Sequence, residues 1–174
     1  MTVYIPREDS YLLKSYIEGK DLEGKKLLDM GTGSGIQAVT AAEKGADVLA
    51  VDINPEAVET VRRKASEQDL DIEVVESDLF ENVDKRFDII VFNPPYLPGK
   101  EGVGDEEIWR GGNTGLEVTE KFLEKVDRYL EQKGEAVFIL SSETDWSYLK
   151  QDYGLEIIES RKLWFETVYL AVKR

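Results

Sequence analysis

A doubly wound α/β sheet with helices on both faces is the fold this sequence predicts, and three features carry that reading. Apolar runs of strand length alternate with stretches of helical spacing along the chain. The first run, residues 25–30 (KKLLDM), opens directly into Gly31-Thr32-Gly33-Ser34-Gly35 and then a helix. A later run, residues 87–92 (FDIIVF), is largely apolar and β-branched, as a strand buried on both faces must be, and stops at Asn93-Pro94-Pro95-Tyr96.

Taken in order, the chain opens with an extended segment and a helix in which Leu12, Leu13, Tyr16 and Ile17 share a face, with Asp9 or Ser10 as the expected cap. The strand at 25–30 and its glycine turn lead into a helix over 36–44, and a second strand, 46–51, ends at Asp52. Asn54 is the expected cap, and Pro55 the first residue, of a helix reaching Gln68. A short strand at 72–75 precedes the one at 87–92. Residues 97–113 are a long glycine-rich loop directly after the proline turn, which suits a substrate-facing lid. The spacing of Leu116, Phe122, Leu123, Val126 and Leu130 predicts a helix over 115–132, stopped by Gly134. A strand at 136–140, a helix at 143–150 and strands at 155–158 and 165–172 complete the expected elements. With no linker or internal repeat, residues 1–174 read as one domain.

The chemistry concentrates at the ends of the strands. In open α/β sheets, ligands bind beyond the carboxyl ends of the strands. Two prolines cannot continue a sheet ladder, and the residue before a proline is held extended, so Asn93 sits on a stiff support there. Its side-chain oxygen and the Pro94 carbonyl offer two acceptors to a planar NH2 group, and Tyr96 could stack on a planar substrate. The glycine turn lets backbone approach a ligand and aims helix N–H groups at it. Its Gly-x-Gly-x-Gly spacing lacks the two-residue gap of the dinucleotide fingerprint. Asp29, just before it, suits a cationic ligand, and Asp52 ends a strand where an acid can accept both ribose hydroxyls. Ile53 could pack on a nucleoside base.

Composition narrows the classes further. There is no histidine and no cysteine, which excludes an imidazole base, a His- or thiolate-bound metal, and disulfides. Nothing spans a membrane as a run of ~20 apolar residues, and MTVYIPREDS is no signal or transit peptide; a cytoplasmic protein is expected. The net charge of −14 repels nucleic-acid phosphates, so direct nucleic-acid binding is disfavoured and a basic protein substrate is easier.

Asn-Pro-Pro-Tyr at 93–96 resembles the signature of S-adenosylmethionine (SAM)-dependent methyltransferases acting on planar nitrogen, and Gly31, Thr32, Gly33 and Gly35 after Asp29 resemble their SAM-binding loop. The segment from Val3 to Ser10, with Pro6, Glu8, Asp9 and Ser10, is similar to the N-terminal motif of the archaeal and eukaryotic branch of HemK-like release-factor glutamine methyltransferases, as are Trp109, Gly111, Gly112, Gly115 and Val118. The resemblance covers nearly the whole chain. It implies the Class I, Rossmann-like fold: a seven-stranded, mostly parallel sheet with an antiparallel last strand. It implies SAM as cofactor, with Glu8, Asp9 and Ser10 over its methionine end, Asp78 on the adenine amino group and Leu79 flanking the ring. It implies Asn93, Pro94, Pro95 and Tyr96 as the catalytic corner, with Asn93 also beside the cofactor. The substrate it implies is the glutamine of the Gly-Gly-Gln loop of a class 1 translation termination factor. That branch works with a small zinc-binding activator, which would dock on the edge strand between Ile72 and Val75 and carry all the zinc itself. A nucleic-acid adenine-N6 methyltransferase shares the tetrapeptide, and a non-catalytic scaffold of the same fold is the third reading.

Overall fold

The computed structural model describes residues 3–96 and 114–174. Seven strands, β1 (Lys26–Met30), β2 (Asp47–Asp52), β3 (Ile72–Glu76), β4 (Phe87–Phe92), β5 (Leu130–Ser141), β6 (Glu156–Lys162) and β7 (Thr167–Lys173), form one sheet in the order β3-β2-β1-β4-β5-β7-β6. The pairs from β3 through β5 are parallel, and β7 runs antiparallel to both its neighbours. The order reverses between β1 and β4, which creates a crevice beyond their carboxyl ends.

Alternation along the strands explains why both faces are covered. On β1, β2 and β4, Leu27, Val48, Ala50, Ile89 and Val91 point to one face, where they pack with residues of α1 (Glu8–Glu18), α2 (Ile36–Glu43) and α3 (Pro55–Glu67). Leu28, Met30, Leu49, Ile90 and Phe92 point to the other, against Phe122, Leu123 and Val126 of α4 (Glu117–Val126) and Leu149 of α5 (Ser147–Asp152). A strand buried on both faces has no polar side, which is why β4 reads as a continuous apolar run. As expected, Asn54 caps α3: its Oδ1 accepts from Glu56 N at 3.0 Å, with Pro55 at the first helical position.

Two expected features differ. Neither Asp9 nor Ser10 caps α1: the helix begins at Glu8, with Arg7 at the cap position and no side-chain cap bond. Asp9 is already inside the first turn, which frees its carboxylate for the site described below. The helix expected over 115–132 spans only Glu117–Val126, and Leu130 starts β5. The amphipathic stripe ends at Val126. Tyr129 and Leu130 bury their apolar surface otherwise: Tyr129 stacks on Phe80 at 4.3 Å between ring centroids, and Leu130 pairs with Phe87. Gly134 is accordingly not a helix stop. It lies where β5 shifts register against β4, and a Cβ there would sit 2.8 Å from the Phe87 carbonyl oxygen. β6 also runs longer than the expected 155–158, because it is largely exposed and carries charged residues that its apolar content did not reveal, and β7 begins at Thr167 rather than at 165.

Candidate active site

A cavity of about 680 Å³ lies at the reversal point, within the range of small-molecule sites. Its walls come from the ends of β1, β2 and β4, the loop after β3, the start of α1 and the β6–β7 connection. Asp9, Ser10, Asp29, Gly31, Thr32, Gly33, Asp52, Ile53, Asp78, Leu79 and the Asn93–Tyr96 corner all border it, and so does Glu8. Gly35 caps α2 just behind the turn. Residues 97–113, including the expected lid and Trp109, lie outside the described residues.

The glycine turn is dictated by its surroundings. Gly31 has φ +60° and a Cβ there would meet the Phe92 ring at 3.2 Å; Gly35 has φ +80° and a Cβ would meet Val61 Cγ2 at 2.8 Å. Only glycine combines that backbone with that closeness. The turn is then fastened by two carboxylates. Asp29 Oδ2 accepts from Thr32 Oγ1 at 2.6 Å and from Ala38 N at 3.1 Å. Asp52 Oδ2 accepts from Gly33 N at 2.8 Å, and its Oδ1 from Asn54 N at 2.9 Å. Burial pushes the Asp29 carboxyl up to about 7, opposed by those two hydrogen bonds and reinforced by the nearby Asp52 charge. Asp52 is raised as well, chiefly by burial. Ile53 is exposed beside the cavity, and Leu79 holds φ +48°, with its carbonyl accepting from Ser77 Oγ at 2.8 Å.

The opposite corner is built from side chains far apart in sequence. The Asp9 carboxylate accepts from the Tyr4 hydroxyl at 2.7 and 2.8 Å, the Tyr96 hydroxyl at 3.2 Å, Ser10 N at 2.6 Å and Asn93 Nδ2 at 3.1 Å. Asn93 Nδ2 also reaches Ser10 Oγ at 3.4 Å. A carboxylate only accepts, so it selects the NH2 end of the Asn93 amide. The other end, Oδ1, is buried with no partner among the described residues. Asp9 thus fixes the amide with its acceptor unspent. Tyr96 is not free to stack at will: its hydroxyl is tied to Asp9 and its ring packs on the core. Burial, then the charges of Asp9 and Glu166, raise the Tyr96 phenol above its usual range.

Gln37, Trp164, Phe165 and Glu166 also border the cavity and were not among the residues expected there. Glu166 is 7% exposed and bonded by Ser141 Oγ, while Trp164 is 99% exposed at the cavity rim. A glutamate inside the FETVYLAV run was a readable signal; the others meet the site only through topology.

The ligand chemistry follows from the lining. Glu8, Asp9, Asp29, Asp52, Asp78 and Glu166 are acidic, against Arg7 as the basic residue among the described lining. A pyrophosphate would be repelled from such a helix N-terminus, whereas a cationic ligand with a diol-bearing nucleoside matches it. The residues therefore fit SAM and not a dinucleotide.

Residues 8–155 match the family model of the methyltransferase small domain. The chain belongs to that family. This methyltransferase domain is 42% identical over 148 residues to a Methanocaldococcus jannaschii protein provisionally named a protein N5-glutamine methyltransferase, covering 80% of this chain and 72% of that one. It is 33% identical over 144 residues to a release factor glutamine methyltransferase of Streptococcus pneumoniae, covering 76% of this chain; it spans 52%, about half, of that relative's length. Its fold matches that of a T. thermophilus 16S rRNA N2 G1207 methyltransferase solved with AdoMet and guanosine, with a TM-score of 0.73 and 23% identity over 98% of this chain and 44% of the other.

Proposed function

We propose that the chain, as one methyltransferase domain, transfers a methyl group from SAM to the side-chain amide nitrogen of a glutamine in a class 1 release factor. The observation that carries this is the Asn93 amide, turned by Asp9 so that a buried Oδ1 acceptor is left for a substrate N–H. An amide nitrogen is a poor nucleophile because its lone pair is delocalised. Asn93 Oδ1 and the Pro94 carbonyl would hold both its N–H bonds, orient the nitrogen and stabilise the positive charge developing on it. SAM supplies a methyl group already activated by its sulfonium. Nitrogen would gain the methyl as the methyl carbon–sulfur bond breaks, leaving S-adenosylhomocysteine, and would lose one proton to solvent, so no histidine base is required. Asp52 would accept the ribose hydroxyls, Asp29 would face the ammonium group, and Ile53, Asp78 and Leu79 would border the adenine. The two glutamine methyltransferase relatives support this substrate class.

The test is incubation of the purified protein with methyl-labelled SAM and either a class 1 release factor or duplex DNA. Label should enter the release factor and vanish when its Gly-Gly-Gln glutamine is replaced. Label in DNA would favour the adenine-N6 reading instead.

The same reading includes a small zinc-binding activator on the sheet edge formed by β3, in a cytoplasmic setting. Among the described residues β3 pairs on one side only, with β2. Exposed edges invite strand addition. That edge is partly occupied, since Arg62 Nη2 donates to the Val74 carbonyl at 2.9 Å and Lys85 pairs with Glu73. Val74 belongs to the core, so Val75 is the position to change. Val75→Lys should abolish co-purification with the activator. Full activity of the isolated chain, with no complex at micromolar concentrations, would remove the activator from the reading.

No helix among the described residues is long and apolar enough to cross a membrane.

A further inference from the structure

Three buried side-chain atoms lack a partner among the described residues: Asn93 Oδ1, Thr119 Oγ1 and Gln37 Oε1. Asn93 has its role above, and Thr119 does not border the cavity. Gln37 does border it, in the first turn of α2 and only 4% exposed. Its orientation is fixed by chemistry. Nε2 donates to the Ser10 main-chain carbonyl at 2.8 Å, and a carbonyl can only accept, so Oε1 is the end left over. A buried acceptor without a donor is costly and calls for an explanation. The surroundings specify what the donor should be. Asp29, also buried and on the same cavity, is fastened through Ala38 N, the residue next to Gln37. A neutral acceptor and a carboxylate bordering one cavity suit a group with several N–H donors and a positive charge.

We propose that Gln37 Oε1 accepts a hydrogen bond from the α-ammonium group of the cofactor's amino-acid moiety, with Asp29 supplying the opposing charge. This rests on the SAM reading above. It also ties the two halves of the site together. The same amide holds the carbonyl of Ser10, whose neighbour Asp9 orients Asn93.

The test uses calorimetry on the full chain with two probes: S-adenosylhomocysteine, and 5′-methylthioadenosine, which keeps the nucleoside and thioether but has no amino-acid moiety. Gln37→Leu should weaken S-adenosylhomocysteine at least tenfold, the scale of one charge-assisted hydrogen bond (roughly 1.5–3 kcal/mol), and leave 5′-methylthioadenosine within about twofold. Gln37→Met keeps the length of the side chain, removes the amide and should show the same selective loss; it answers the question if the leucine variant does not fold. Equal losses for both probes, or no loss for either, would overturn the assignment. A wild-type protein that binds neither probe would instead overturn the SAM reading itself, and this inference with it.

Discussion

The two walls of the cavity are held by different means. On the wall of β1 and β2, carboxylates grip main-chain N–H groups or a near neighbour: Asp29 with Thr32 and Ala38, Asp52 with Gly33 and Asn54, over separations of 2 to 19 residues. On the wall of β4, side chains grip one another across the fold: Asp9 with Asn93 and Tyr96, over 84 and 87 residues. The first wall is set as soon as β1, the glycine turn, α2 and β2 come together as one consecutive unit. The second exists only when α1 docks beside the end of β4. A binding surface can be built locally, whereas the acceptor corner needs the finished sheet, so changes on the two walls should separate binding from turnover.

The sharpest way to break that contrast is Asn93→Ala. It should lower turnover at least ~100-fold, the scale of losing one transition-state hydrogen-bonding group, and leave SAM affinity within about threefold by calorimetry. Parallel loss of affinity would make Asn93 a structural residue. Next is Asp9→Asn, which offers an NH2 where only acceptors now stand and so releases the Asn93 amide from its orientation. Steady-state kinetics should register a fall of roughly 10- to 100-fold in turnover, the range of one charged hydrogen bond. On the other wall, Asp52→Ala should weaken SAM at least tenfold, since it removes acceptors for two hydroxyls; an unchanged dissociation constant refutes the assignment.

The smallest effect concerns pH. The Asp29 carboxyl of the ligand-free protein stands at about 7 against an ordinary 3.8. The folded state therefore holds a proton that the unfolded state has released between those values, and this group's contribution to stability falls as pH rises through that window. A cationic ligand favours the ionised form, so binding expels that proton near neutrality. Affinity for S-adenosylhomocysteine should rise by up to about tenfold between pH 6 and 8. Asp29→Asn should flatten that rise, and a variant with the same slope would remove Asp29 from the ammonium subsite.

Much of this was legible in the chain because its signals are local. The run at β4, the glycine turn and the Asn54-Pro55 start of α3 each encode their own geometry within a few residues. Gly134 misled because a glycine needed for close approach to the Phe87 carbonyl looks the same as one ending a helix. Asp9 misled for a related reason, since an acid at a helix start reads as a cap, and nothing in the sequence says that Asn93 will stand opposite. Gln37 was out of reach because its partner, the Ser10 carbonyl, is set by the docking of α1 against α2.

Whether Asp9 acts through Asn93 is most directly measured by a double-mutant cycle on single-turnover methyl transfer, using Asp9→Asn, Asn93→Ala and the pair together. With Asn93 already gone there is no amide left to orient, so the double variant should be no more than about threefold slower than Asn93→Ala alone. A double variant slowed by the product of the two separate losses would mean that Asp9 and Asn93 act independently, and the acceptor corner described here would be wrong.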